Sequence, residues 1–90
     1  MIRVKVKILN KSGLHARPAA IFVNTCRKFK SKIRIIKNGK SGDAKNILQV
    51  LALGIDMGDE VILEIEGEDE EEASKAIIDL LKKKLPEIDK

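Results

Sequence analysis

The sequence predicts an α+β fold, an antiparallel sheet with helices packed on one face. Three observations carry this prediction. Three stretches alternate apolar and polar residues with the period-two pattern of strands that have one buried and one solvated face. Two other stretches repeat apolar residues at i, i+3, i+4 and i+7, the spacing of one helix face. The loops are short, and Asn38-Gly39 is a strong signal for a two-residue hairpin turn of type I′.

In chain order, Ile2, Val4, Val6 and Ile8 alternate with Arg3, Lys5 and Lys7 as a first strand. Asn10-Lys11-Ser12-Gly13 ends it with turn residues. Pro18 falls in the first turn of a helix, where a missing N–H costs nothing. Ala19, Phe22, Val23 and Cys26 form the buried face of that helix, which is expected to run to about Arg27 or Lys28. Ile33 and Ile35 mark a second strand. Lys40 to Asp43 is a short third strand whose Lys and Ser content suits an exposed edge.

Asn46 is a good N-cap for a short second helix from Ile47 that ends at Gly54. Ile47, Leu48, Val50, Leu51, Ala52 and Leu53 are more apolar residues than one face of two turns can bury. Part of this helix is therefore expected to face solvent as an apolar contact patch. Met57-Gly58-Asp59 makes a turn, and Val61, Leu63 and Ile65 mark a fourth strand. Acidic residues from Glu68 to Glu72 load the first turn of a third helix, and Lys82, Lys83 and Lys84 its last, both matching the helix dipole. Pro86 is expected to stop that helix. The order β-α-β-β-α-β-α is compatible with several sheet topologies, a ferredoxin-like one included.

Ninety residues without repeat or linker read as one domain, 1–90. Charge is divided along the chain. Residues 1–42 hold 12 Lys/Arg and no acid, a charge of +12; residues 43–90 hold 6 Lys/Arg and 14 Asp/Glu, a charge of −8, and the two sum to the overall +4. If the two parts occupy different faces the molecule is polarised; if they interleave, the charges compensate. The single cysteine, Cys26, excludes an internal disulfide and reads as a buried small hydrophobe. No signal peptide or membrane span is visible, which points to the cytoplasm without insertion into a membrane.

The pattern excludes most chemistries. One His and one Cys are no metal-ligand set. P-loop, dinucleotide-binding and nucleophile-elbow motifs are absent. Two phenylalanines are too few for a stacking nucleic-acid surface, so no nucleic-acid partner is expected. What remains is His15, at the junction of the first strand with the first helix. Its imidazole is a competent nucleophile toward a phosphoryl donor. The first-turn amides of a helix, aided by its dipole, stabilise the resulting phosphate. Arg17 can add a forked, charge-assisted hydrogen bond. No paired carboxylates are placed near His15, so nothing in the sequence looks like a general acid–base pair.

The stretch Gly13-Leu14-His15-Ala16-Arg17-Pro18-Ala19-Ala20 resembles the active-site motif of the HPr family, the histidine-containing phosphocarriers of the bacterial phosphoenolpyruvate-dependent sugar phosphotransferase system. The resemblance extends over the whole chain: its length, the element order, Asn38-Gly39-Lys40, Ala52-Leu53-Gly54-Ile55 and Gly67-Glu68-Asp69-Glu70. It implies an open-faced β-sandwich with strand order 1-4-2-3 and three helices on one face. It implies that His15 takes a phosphoryl group on Nδ1 from phosphorylated Enzyme I and passes it to the sugar-specific A components of transporters. Arg17 would then be the electrostatic partner, with the amides near Ala16 and Arg17 holding the phosphate. Partners would dock on the first and second helices, at Ala20, Asn24, Arg27, Ile47, Leu48 and Leu51.

The resemblance further implies a carrier rather than an enzyme, without cofactor or metal, and a monomer fits such a shuttle. In many members a serine at the start of the second helix is phosphorylated by a regulatory kinase. Here that position is Asn46, which has no hydroxyl and keeps only the capping role. The alternative is a regulatory protein-binding module, in which the phosphorylation state of His15 controls partner enzymes or transcription rather than sugar uptake.

Overall fold

The computed structural model describes all residues from Met1 to Lys90. The elements follow the expected order: β1 (Ile2–Lys7), α1 (Ala16–Cys26), β2 (Lys32–Lys37), β3 (Lys40–Asp43), α2 (Ile47–Ala52), β4 (Glu60–Glu66) and α3 (Glu70–Asp79). The sheet is antiparallel with order β1-β4-β2-β3, which excludes the ferredoxin-like alternative and matches the order implied by the resemblance.

Alternation decides which face is covered. Val6, Ile33, Ile35, Val61, Leu63 and Ile65 point to the helical side and are buried. They join Ala19, Phe22, Val23 and Cys26 of α1 and Ala73 and Ile77 of α3 in one continuous core. Each large aliphatic side chain removed from water contributes about 1.5–3 kcal/mol, so this shared layer is the main source of stability. Cys26 lies in it with no exposed surface, and burial pushes its thiol up to about 12. It is a packing residue, as its helical spacing predicts.

Local signals are realised where the geometry is local. Asn38 and Gly39 both have positive φ, 50° and 79°, as a type I′ turn requires. The Asn46 side chain accepts the amide hydrogen of Gln49 at 3.2 Å, so it caps α2. Only Val50 of α2 is buried, and Leu48 is 74% exposed, which confirms the expected apolar patch.

One expectation is corrected, and one open alternative is decided for the sheet. Pro86 does not stop the third helix. After α3 the chain continues through a π turn, Leu80–Lys84, into a short α4, Leu85–Ile88, with Pro86 in its first turn. The Leu85 amide donates to the Leu80 carbonyl, five residues back. That wider turn leaves room for the proline ring, and the first turn does not miss its N–H.

Of the two readings left open for the charge division, interleaving holds on the solvent face of the sheet. On the solvent side of the sheet, acidic β4 lies between basic β1 and β2. Glu64 faces Arg3 on one side and Arg34 on the other, at 3.6 and 3.9 Å. Glu60 is opposite Lys7, and Glu66 is opposite Lys32. Each exposed pair is worth little, about 0–1 kcal/mol, but together they cancel much of the basic charge on this face.

Candidate functional site

The site forms where β1 leaves the sheet and β4 enters it. Because these strands are antiparallel neighbours, with Lys7 opposite Glu60, the loop before α1 lies against the loop before β4. The Leu14 amide donates to the Ile55 carbonyl at 2.9 Å and joins the two loops. Gly13 makes the approach possible. Its φ is +62°, and a side-chain carbon there would meet the Ile55 carbonyl oxygen and lie 2.7 Å from the Asp56 Cα. Asn10, buried, donates to the Gly13 carbonyl at 2.7 Å and to Asp89 at 3.0 Å. Asp89 also accepts from the amide and hydroxyl of Ser12, so the end of the chain braces the loop.

His15 is the N-cap residue of α1, in extended conformation, and its side chain does not cap the helix. The ring is therefore free for another role, and its side chain is 41% exposed. Ala16 follows with φ of +49°, left-handed, a conformation that costs a residue with a Cβ about 1–2 kcal/mol. The amides of Ala16 and Arg17 have no acceptor within the chain, as expected of a helix first turn. Those two donors and the positive end of the helix dipole lie beside an exposed imidazole. This arrangement suits an anionic group on the ring.

The structure adds a residue that the sequence reading did not anticipate. Asp56 Oδ1 lies 2.7 Å from His15 Nε2, across 41 positions of chain. The sequence reading found no carboxylate pair near His15, and the structure puts a single carboxylate there. The signal was available only through topology: strand order 1-4 brings residues before β4 next to residues after β1. The loop holding Asp56 is itself fixed. The Asp56 amide donates to Asp59 Oδ2 at 2.7 Å. Lys37 Nζ, from β2, pairs with that same oxygen at 2.8 Å and donates to the Gly54 carbonyl at 2.6 Å. The Lys37 ammonium and the Asp56 amide hold the Asp59 carboxyl below its usual range.

The other residues singled out by the sequence lie as follows. Arg17 is exposed and makes no hydrogen bond or ion pair within the chain. Ala20, Asn24 and Arg27 are exposed on α1, and Ile47, Leu48 and Leu51 on α2, which packs against α1. No three His, Cys, Asp or Glu side chains gather to hold a metal. No helix is long and apolar enough to cross a membrane. His15, Arg17 and Asp56 line none of the clefts; the largest, about 410 Å³, lies between β2, β3 and α2. The site is an open surface.

Comparison with known proteins places this arrangement. Residues 2–83 match the family model described as the PTS HPr component phosphorylation site. The chain is 48% identical over 73 residues to phosphocarrier protein HPr of Buchnera aphidicola, covering 81% of this chain and 86% of that protein. It is 42% identical over 83 residues to the HPr-like protein Crh of Halalkalibacterium halodurans, covering 92% of this chain and 99% of that one. Among solved structures, HPr-C-His from Thermoanaerobacter tengcongensis superposes with a TM-score of 0.92 at 49% identity, covering 94% of this chain and 96% of that one. HPr from the same organism has also been solved as a dimer, with a TM-score of 0.76. With the family model, the relatives and the fold in agreement, the chain belongs to the HPr family of phosphocarrier proteins.

Proposed function

We propose that this chain carries phosphoryl groups on Nδ1 of His15, taking them from phosphorylated Enzyme I and delivering them to sugar-specific A components of a bacterial phosphotransferase system. The observation that supports this most is the setting of the imidazole: exposed, not spent on capping, and next to the free amides of Ala16 and Arg17. In this reading those amides and the Arg17 guanidinium hold the phosphate. The exposed faces of α1 and α2 dock the partners through Ala20, Asn24, Arg27, Ile47, Leu48 and Leu51. Residues 1–90 act as one domain, a monomer in the cytoplasm, and the partners complete the active site around His15. Asn46 leaves no hydroxyl for regulation by a serine kinase.

Incubation with phosphoenolpyruvate and Enzyme I is expected to give an acid-labile, base-stable phosphoprotein. His15→Ala is expected to take no label; equal labelling of that variant overturns the reading. The likeness to Crh over nearly its full length supports a second reading, a regulatory module acting through its binding partners. Partner capture with and without phosphorylation of His15 separates the two. Delivery to A components supports the carrier. Phosphorylation-dependent capture of other enzymes or regulators, without onward transfer, supports the module.

A further inference from the structure

From the contact between the two loops we infer that Asp56 is a positioning residue for phosphoryl transfer, holding the proton of His15 on Nε2 so that Nδ1 is the nucleophile. This rests on the phosphocarrier reading above and names how its nucleophile is selected. An ionised carboxylate has no hydrogen to donate. At 2.7 Å from Asp56 Oδ1, Nε2 must therefore be the donor. In the neutral ring the other nitrogen, Nδ1, then carries the lone pair. The pairing thus fixes the tautomer and also the ring orientation, as carboxylate partners of functional histidines do elsewhere.

The same contact acts on the phosphorylated state. The Nδ1 lone pair forms the new bond to phosphorus, and the bond from phosphorus to the donor breaks, its electron pair leaving with the donor. The ring now bears phosphorus on Nδ1 and a proton on Nε2, and carries a formal positive charge. Asp56 accepts a charge-assisted hydrogen bond from that Nε2–H and so keeps the proton in place. In the onward step a nucleophile of the acceptor forms the new bond to phosphorus with its lone pair, the Nδ1–phosphorus bond breaks, and its electron pair returns to the ring, which leaves neutral. A ring that has kept its proton is the better leaving group.

Asp56 is held for this role from two sides. Asp59 binds its amide, and Lys37 anchors Asp59 and the Gly54 carbonyl from the sheet. Gly13 permits the backbone contact that brings the loops together. The charged groups shown at the ring are Asp56, which bonds it, and Asp59, whose carboxyl feels the charge of the imidazole and is paired with Lys37 of β2. Only Asp56 bonds the ring.

The test compares wild type with Asp56→Ala and Asp56→Asn, with folding checked by thermal denaturation. The imidazole nitrogens of the unphosphorylated proteins are observed by NMR at a pH where the ring is neutral. Wild type is expected in the Nε2–H form, and Asp56→Ala as a mixture with the Nδ1–H form. Onward transfer from the phosphorylated proteins is expected to slow about three- to tenfold in Asp56→Ala, a small range because the contact is solvent-exposed. Its dependence on pH should shift, since the Nε2 proton is lost more readily. Asp56→Asn, which keeps an acceptor oxygen without the charge, is expected to restore the tautomer but not the rate. If both variants take label but keep wild-type tautomer, rate and pH profile, Asp56 has no positioning role. If wild type takes no label, the phosphocarrier reading falls, and the transfer half of this proposal falls with it.

Discussion

The two ends of the sheet are built from the same parts and finished differently. At one end Gly13, with left-handed φ, lets the loop before α1 touch the loop holding Asp56. At the other end Gly67, with φ of +156°, lies against Ser31, where a side-chain carbon would sit 2.6 Å from the Ser31 Cα. Each end also has an aspartate. Asp69 accepts from the Lys30 amide at 2.8 Å, the Ser31 amide at 2.9 Å and the Ser31 hydroxyl at 2.5 Å. The Asp56 carboxylate meets a single donor, the ring of His15. At one corner the carboxylate is saturated and ties two loops together, and the free first-turn amides of Glu71 and Glu72 lie among acidic side chains. The other has two free helix amides, with no acid in their turn, beside an imidazole, which suits an anionic group.

The comparison can be broken most strongly at Gly13. Gly13→Ala adds both left-handed strain and a backbone collision and is expected to cost about 3 kcal/mol, read by urea denaturation. Gly39 has φ of +79° but open space around it. Gly39→Ala is therefore expected to cost only about 1 kcal/mol. Equal losses at the two positions would remove the argument that Gly13 mediates a close approach.

A smaller effect is expected from acid. The Ser31 hydroxyl and the Lys30 amide hold Asp69 below the usual carboxylate range, and Asp89, through the Ser12 amide, is lowered as well. A carboxyl lowered in the folded state binds its proton less readily than in the unfolded chain. Its contribution to stability is therefore complete above the unfolded value, about 3.8, and lost as pH falls through the lowered folded value. The thermal midpoint is expected to fall below about pH 4, and Asp69→Asn to flatten that decline. A variant with the same acid limb as wild type would show that Asp69 does not contribute to it.

The smallest effect on stability, and the sharpest on function, is expected at Arg17. Its guanidinium has no partner in the free protein, so Arg17→Ala should leave the thermal midpoint within about one degree. Phosphoryl transfer is expected to slow about tenfold or more, through loss of a charge-assisted hydrogen bond to the phosphate. A destabilised variant with unchanged transfer would assign Arg17 to the fold.

What could be read from the sequence follows the range of the interactions. The Asn38-Gly39 turn, the Asn46 cap and the surplus of apolar residues in α2 are decided by close neighbours, and each is realised as expected. His15 stands out in the sequence as the one histidine, placed before a helix, and its proposed role comes from the resemblance of the motif around it. Asp56 does not stand out, because its role exists only once β1 and β4 are paired. The cancellation of basic β1 and β2 by acidic β4 depends on the same pairing. Pro86 misled because a proline normally ends a helix, whereas here a π turn admits it. The left-handed Ala16 had no local signal, since alanine does not favour that conformation.

The buried Cys26 gives this chain a built-in clock. Its thiol sits on the inner face of α1, closed to solvent and held protonated by burial. A thiol-specific reagent can react only after α1 lifts from the sheet. The rate of modification then measures how often the helix that begins at His15 leaves its bed, with no label introduced. The same measurement, repeated with a phosphoryl group on the histidine, reads whether loading the carrier tightens or loosens that helix.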